Sequence, residues 1–276
     1  MREYVRCRTV DSGEYMRVNL YPIHVPAGKR AAKCSPSSEI QQRLNAENSA
    51  HRLTDLIHAN FTPNDVAVHL TYSDENMPAD VKSAQRAAYN YMRRLVRAWV
   101  KISGRGAREF KYIIVTEQSS RGRLHHHCII SGGLSMQTLS DKWGMGHTTL
   151  KALEFDECGL IGLATYITKS RLSYRRWQAS KNLASPAIRS NDTKVRKKDV
   201  RYISAHPDDA WYIEQIHAGY SVCPGSVKYI SMDNETPAGG YFVSYMLYKS
   251  ENRYFSRDRY ARLRQNRRNR RNRRNE

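Results

Sequence analysis

The chain has 276 residues, 40% of them apolar, and a formal net charge of +20 from 46 Lys and Arg against 26 Asp and Glu. That is enough length and apolar content for one large folded domain, or a domain with appendages, and the charge predicts a polyanionic partner. No apolar run reaches the ~18 residues of a membrane span and no signal-like apolar segment opens the chain, which disfavours a membrane as that polyanion. The five cysteines (Cys7, Cys34, Cys128, Cys158, Cys223) are odd in number and never spaced as C-x-x-C. That argues against a disulfide framework or a thiolate zinc site and for a reducing, cytoplasmic setting.

Residues 1–34 read as irregular, with Pro22, Pro26 and Gly28. A helix is expected next, with Ser35 as cap, Pro36 at the first helical position and Ile40, Leu44, Leu53, Leu56 and Ile57 carrying it toward Asn60. Residues 1–59 therefore read as an N-terminal extension. Residues 66–72 (VAVHLTY) form a β-rich segment closed by a polar loop. Over 78–102 an apolar stripe (Ala84, Ala88, Tyr91, Leu95, Ala98, Trp99, Ile102) predicts a long amphipathic helix whose Lys and Arg lie mostly on a solvated face. Residues 110–117 and 124–130 read as strands joined by the hairpin loop QSSRGR. A short helix near 136–143, a strand over 147–155 and helical spacing of Leu160, Leu163, Ala164 and Ile167 follow.

Residues 171–205 are basic and polar, fitting either a nucleic-acid-facing extension or a mobile loop, and 241–248 is an aromatic-rich strand. Tyr174, Trp177, Tyr202, Trp211 and Tyr212 could stack on bases, although core packing is the plainer role for each. The last sixteen residues, ARLRQNRRNRRNRRNE, hold eight Arg and one Glu. That composition predicts a disordered basic tail over 261–276, in which Arg267, Arg268, Arg270, Arg271, Arg273 and Arg274 contact nucleic-acid phosphates without reading bases. The charge of the chain before it is still strongly positive, so the tail alone does not explain the basicity.

The segment Leu124-His125-His126-His127-Cys128 carries the chemistry. Strand side chains alternate, so His125 and His127 project from one face and His126 from the other. Two imidazoles one pleat apart can chelate a divalent ion, and Glu117, across the hairpin, can add a carboxylate oxygen. Two nitrogens and one oxygen suit Mg²⁺ or Mn²⁺ and leave positions open for a substrate phosphate. Tyr166 and Lys169 are three apart on the expected later helix and share a face. A phenol with an ordinary pKa of about 10 needs nearby positive charge to act as a nucleophile. A His-x-His or Y-x-x-K alone is more often structural.

The ordered set Val68-His69-Leu70-Thr71-Tyr72, then Glu117 with Gly122-Arg123-Leu124-His125-His126-His127, then Tyr166-Ile167-Thr168-Lys169 resembles the three motifs of HUH-type rolling-circle replication initiators, particularly those of filamentous and related phages and small plasmids. The resemblance covers roughly residues 60–175. It implies an α+β fold with a central antiparallel sheet carrying the His-x-His strand and flanked by helices, with 176–260 as a basic, aromatic elaboration. It implies that His125, His127 and Glu117 hold Mg²⁺ or Mn²⁺, that Tyr166 is the nucleophile with Lys169 as its helper, and that Thr71, Tyr72 and Arg123 lie against DNA. Some family members use two tyrosines; Tyr174, eight residues after Tyr166 and outside the family's spacing, is the second candidate here. The implied activity is metal-dependent nicking and rejoining of single-stranded DNA through a 5′-phosphotyrosine in the host cytoplasm, with an origin hairpin, a helicase and a polymerase as partners and no membrane. A relaxase or transposase with the same chemistry, and a non-catalytic single-strand-binding module with structural His and Tyr, remain as alternatives.

Overall fold

A computed structural model describes residues 3–24, 39–167, 177–232 and 240–254. In chain order the elements are β1 (Glu3–Asp11), β2 (Tyr15–His24), α1 (Glu39–Asn60), β3 (Val66–Thr71), α2 (Val81–Ser103), β4 (Tyr112–Gln118), β5 (Leu124–Ile130) and α3 (Met136–Asp141). They continue as β6 (Thr148–Ala152), α4 (Ile161–Tyr166), β7 (Gln178–Ala179), β8 (Ala187–Asn191), α5 (Lys197–Ala205), α6 (Ala210–Ile216), β9 (Tyr220–Val222), β10 (Lys228–Met232) and β11 (Gly240–Lys249). The architecture is α+β, as expected, but the strands form two antiparallel sheets instead of one central sheet.

The chain divides into two compact units. The first gathers residues 1–44, 155–159 and 186–276, and its sheet runs β10-β11-β2-β1-β8, with β9 also on β11. The irregular segment expected over residues 1–34 is corrected: its described part is a hairpin, in register from Glu3↔His24 to Asp11↔Met16. Gly13, at φ 87°, makes its turn. One core of this unit joins Val5, Cys7, Val18 and Leu20 to Val200 and Ile203 of α5, Ile213 of α6 and Val243, Tyr245 and Leu247 of β11.

The second unit, residues 45–154 and 160–185, carries the sheet β6-β3-β5-β4-β7. Its long helix α2 starts where Asp80 accepts from the Ser83 N–H at 2.6 Å and ends where Gly104 adopts φ 68° and donates to Val100 O. The buried stripe is Ala84, Ala88, Tyr91, Met92, Leu95 and Trp99, packed with Val66, Val68, Leu70, Ile114, Cys128 and Ile130. Ile102, expected in that stripe, is 60% exposed, because the last turn of α2 runs out of partners. The helical start expected at Ser35 and Pro36 lies outside the described residues, as do Lys169, Tyr174 and the Arg tail.

Candidate metal centre

The register of the second sheet builds the site. β5 pairs with β3 on one side (His69↔His127, Thr71↔His125) and with β4 on the other (Val115↔His127, Glu117↔His125). Alternation sends His69, His125, His127 and Glu117 to one face, while Leu70, His126 and Thr116 turn to the face covered by α2. The ligand nitrogens of His69, His125 and His127 all lie within 4.8 Å of one another. The His69 and His127 rings stack at 4.6 Å, and His125 meets each of them edge-on at 5.3 Å. Glu117 Oε2 is 3.3 Å from His127 Nε2 and 3.6 Å from His125 Nε2.

Three imidazoles and a buried carboxylate are therefore gathered without bonding one another in full. The Nε2 atoms of His69 and His127 are buried with no hydrogen-bond partner. A buried polar atom left so costs about 1–3 kcal/mol, and a shared cation is what would satisfy both. The donor set, three nitrogens with one oxygen, fits a divalent metal. Burial first, then the neighbouring His127 and His125, pushes the His69 pKa down to about 4, so the ring is neutral with its lone pair available at neutral pH. His69 lies within the first motif of the resemblance and has no ligand role there. The signal was the alternation of 66–71, which buries Val66, Val68 and Leu70 and leaves His69 on the other face.

Tyr166 closes α4, and its ring stands edge-on to His127 at 5.3 Å while remaining 55% exposed. The structure thus brings Glu117, His125, His127 and Tyr166 together with His69. Behind α4, the Leu160 N–H donates to His58 Nε2 at 2.8 Å, tying its start to α1.

The expected DNA contacts divide. Arg123, on the β4–β5 hairpin, donates to Tyr72 O at 2.8 Å and pairs with Asp74, leaving its side chain about half exposed. Thr71 is half-buried, with its N–H and Oγ1 both on His147 O at 3.0 and 3.2 Å and its carbonyl accepting from Trp143 Nε1 at 2.8 Å. The side-chain DNA contact expected of Tyr72 finds no exposed ring. Tyr72 is buried, its hydroxyl 2.7 Å from His126 Nε2 and 3.3 Å from Ala84 O, and its ring is packed on Trp143 at 5.1 Å. Gly146 lies so close to the end of β3 that a Cβ there would stand 2.7 Å from Tyr72 Cα.

Residues 65–171, from β3 past Tyr166, match a family model for the replication-associated protein ORF2 and its relatives. This stretch, under half the chain, is similar to that family's proteins and supports a replication initiator role; all five residues of the site fall within it. No curated protein and no solved structure matches the chain. No helix among the described residues is long and apolar enough to cross a membrane.

Proposed function

We propose that the protein is a replication initiator that nicks and rejoins single-stranded DNA at an origin, with Tyr166 as nucleophile and His69, His125, His127 and Glu117 holding a divalent metal. The carrying observation is the exposed Tyr166 ring standing edge-on to His127, whose own Nε2 is buried without a hydrogen bond, 3.3 Å from Glu117 Oε2. When bound, the metal would withdraw charge from the non-bridging oxygens of one DNA phosphate. A third imidazole beside the carboxylate favours Mn²⁺ over Mg²⁺, which prefers oxygen ligands.

In the reaction the Tyr166 Oη–P bond forms as the P–O3′ bond breaks. The phenol proton passes to solvent or a nearby base, and the departing 3′ oxygen is protonated to a hydroxyl. The 5′-phosphotyrosine keeps the ester, so a later 3′-hydroxyl can reverse the step and close a strand without ATP. Lys169, three residues after Tyr166, is the proposed helper. The proposed substrate is single-stranded DNA or the loop of an origin hairpin, as the resemblance to rolling-circle initiators implies. Helicase and polymerase are the partners such priming requires, and the setting is the host cytoplasm.

Incubation of the full chain with labelled single-stranded DNA of its own replicon and Mn²⁺ should yield a denaturation-resistant adduct mapping to Tyr166. Tyr166→Phe should bind DNA and form none. An adduct that persists in Tyr166→Phe, or maps to Tyr174, overturns the assignment. Binding without any adduct in the native chain would favour a non-catalytic single-strand-binding module.

The Arg-rich tail is proposed to add sequence-independent affinity. With half of its eight Arg engaged, deletion after Tyr260 should flatten the slope of log K against log salt by about 3 units.

A further inference from the structure

The first unit contains a cavity of about 440 Å³ that includes none of the histidine-site residues. Its wall is built by the edge of the sheet. β8 pairs with β1 as Cys7↔Asn191, Thr9↔Arg189 and Asp11↔Ala187, so Arg189 enters from the last strand and Asp11 from the far end of β1. After β8, the Asn191 side-chain oxygen accepts from the Thr193 N–H (2.9 Å), Thr193 Oγ1 (3.1 Å) and the Lys194 N–H (2.8 Å). That turn brings Lys194 to the cavity and leaves the Asn191 amide nitrogen as a free donor among the described residues.

Lys194 is held there by an uncharged partner. Its ammonium has only protons to offer, so at 3.3 Å it donates to His217 Nδ1, and His217 Nε2–H donates to Tyr245 Oη at 2.9 Å. His217 is only 2% exposed. The lysine is thus positioned without being neutralised. Asp192, the nearest acid in sequence, is gripped through both oxygens by Arg6 at 2.7 and 2.8 Å. Among the described residues neither Lys194 nor Arg189 has a carboxylate partner, so two cations and an amide donor line the cavity.

The lining also holds an acceptor. Asp11 lies two residues along β1 from Thr9, the partner of Arg189, about 7 Å at the rise of a strand. One of its oxygens accepts from the Gly13 N–H at 3.0 Å and the other is uncommitted among the described residues. Tyr220, on the β9 strand that pairs with β11, supplies a ring to the lining. Paired cations with a planar donor fork suit a phosphate, whereas the volume is that of a small-molecule pocket, far more than a phosphate fills. An acceptor and an aromatic residue elsewhere in the lining suit a nucleoside.

We propose that this cavity binds a phosphate-bearing nucleotide, its phosphate on Lys194, Arg189 and the Asn191 amide and its nucleoside toward Asp11 and Tyr220. The ligand is either a free nucleotide or the phosphorylated end of a DNA strand, which present the same chemistry. The site does not depend on the nicking chemistry, so Tyr166→Phe should bind the ligand as the native chain does.

Calorimetric titration of the full chain with dAMP, dCMP, dGMP and dTMP, with chelator present, tests it. At least one nucleotide should bind saturably at one site, about tenfold more tightly than inorganic phosphate or its own nucleoside. Lys194→Met and Arg189→Gln should each weaken binding about tenfold while melting as the native chain does. Displacement by a 5′-phosphorylated oligonucleotide would identify the strand end as the source, and failure to displace would identify the free nucleotide. The proposal falls if no nucleotide saturates the site at millimolar concentration, if inorganic phosphate binds as tightly as every nucleotide, or if both folded variants bind like the native chain.

Discussion

The two faces of the second sheet use the same residue type in opposite ways. On the α2 face, His126 is fully buried, with both ring nitrogens engaged by Tyr72 Oη at 2.7 Å and Thr116 Oγ1 at 3.0 Å. On the other face, His69 and His127 are packed against one another with Nε2 atoms that make no hydrogen bond, that of His127 standing 3.3 Å from Glu117 Oε2. A saturated imidazole can only hold the fold together, whereas an unsaturated one is a cost that some other role must offset. Burial therefore does not separate structural from functional histidines here; the state of the lone pair does. The first unit repeats the first pattern, with His217 saturated between Lys194 and Tyr245.

The largest effect that would break this comparison is on metal affinity. His127→Ala and His69→Ala should each lower Mn²⁺ affinity by more than about a hundredfold, since residues outside the ligand shell are already worth about 10–100-fold. Without metal, both variants should lose less stability than His126→Ala, because each removes a buried nitrogen that makes no hydrogen bond. Thermal melts with and without Mn²⁺ read both quantities. An equal Mn²⁺-dependent rise in Tm in either variant would remove that histidine from the site.

His126→Ala should do the reverse. It opens a cavity beside Trp143 and strips Tyr72 of its partner, so a loss of about 3 kcal/mol in urea unfolding is expected. Mn²⁺ should still bind the folded fraction. Unchanged stability would show that the Tyr72–His126–Thr116 chain holds nothing in place.

The third effect is a pH slope. Burial first, then the surrounding His125, His127 and His69, pushes His126 down to about 3. An unfolded imidazole titrates near 6.5, so between these values the unfolded chain binds a proton that the folded one refuses. Stability is fully present above about pH 6.5 and declines as the pH falls toward 3. His69, depressed to about 4 in the metal-free protein, adds in the same direction. Urea midpoints at pH 7, 6, 5 and 4 should fall for the native chain and fall less steeply for His126→Gln; parallel curves would reassign the slope to other groups.

How much of this was legible in the sequence follows from which signals are local. β5 is Leu124–Ile130, the span its apolar and histidine pattern predicts, and α2 shows in its stripe, its Asp80 cap and Gly104. The hairpin to β4 is local as well, so the pairing of Glu117 with His125 is inferable. His69 is not, because its place depends on the register between β3 and a strand some sixty residues later, which neither segment carries by itself. β1 and β2 were missed although their signal is local: Val5, Cys7, Met16, Val18 and Leu20 alternate with Arg6, Arg8, Arg17 and Asn19 at the period of a half-buried strand. What the segment does not carry is its pairing with β11 from the far end of the chain. Glu14, in the turn between the two strands, is buried and satisfied by Arg253 at 2.9 and 3.0 Å.

The smallest effect sharpens the comparison within the saturated histidine itself. Tyr72 Oη faces both Ala84 O and His126 Nε2, which allows two arrangements. If the hydroxyl donates to Ala84 O, His126 carries its proton on Nε2 and accepts at Nδ1 from Thr116. If the hydroxyl donates to Nε2, the proton sits on Nδ1 and Thr116 accepts. Thr116→Val removes the Oγ1 partner in either case while keeping the shape of the side chain. Thr116 is only part-buried, so water can replace the hydroxyl and the cost should be about 1 kcal/mol, less than that of His126→Ala. The ¹⁵N shifts of the His126 ring in the native chain then separate the arrangements: a proton on Nε2 means that Thr116 donates to Nδ1, a proton on Nδ1 means that Thr116 accepts, and water can take over either part in Thr116→Val. A loss approaching that of His126→Ala would mean that the Nδ1 side is sealed from water, and that both partners of this histidine are needed to hold it in place on β5.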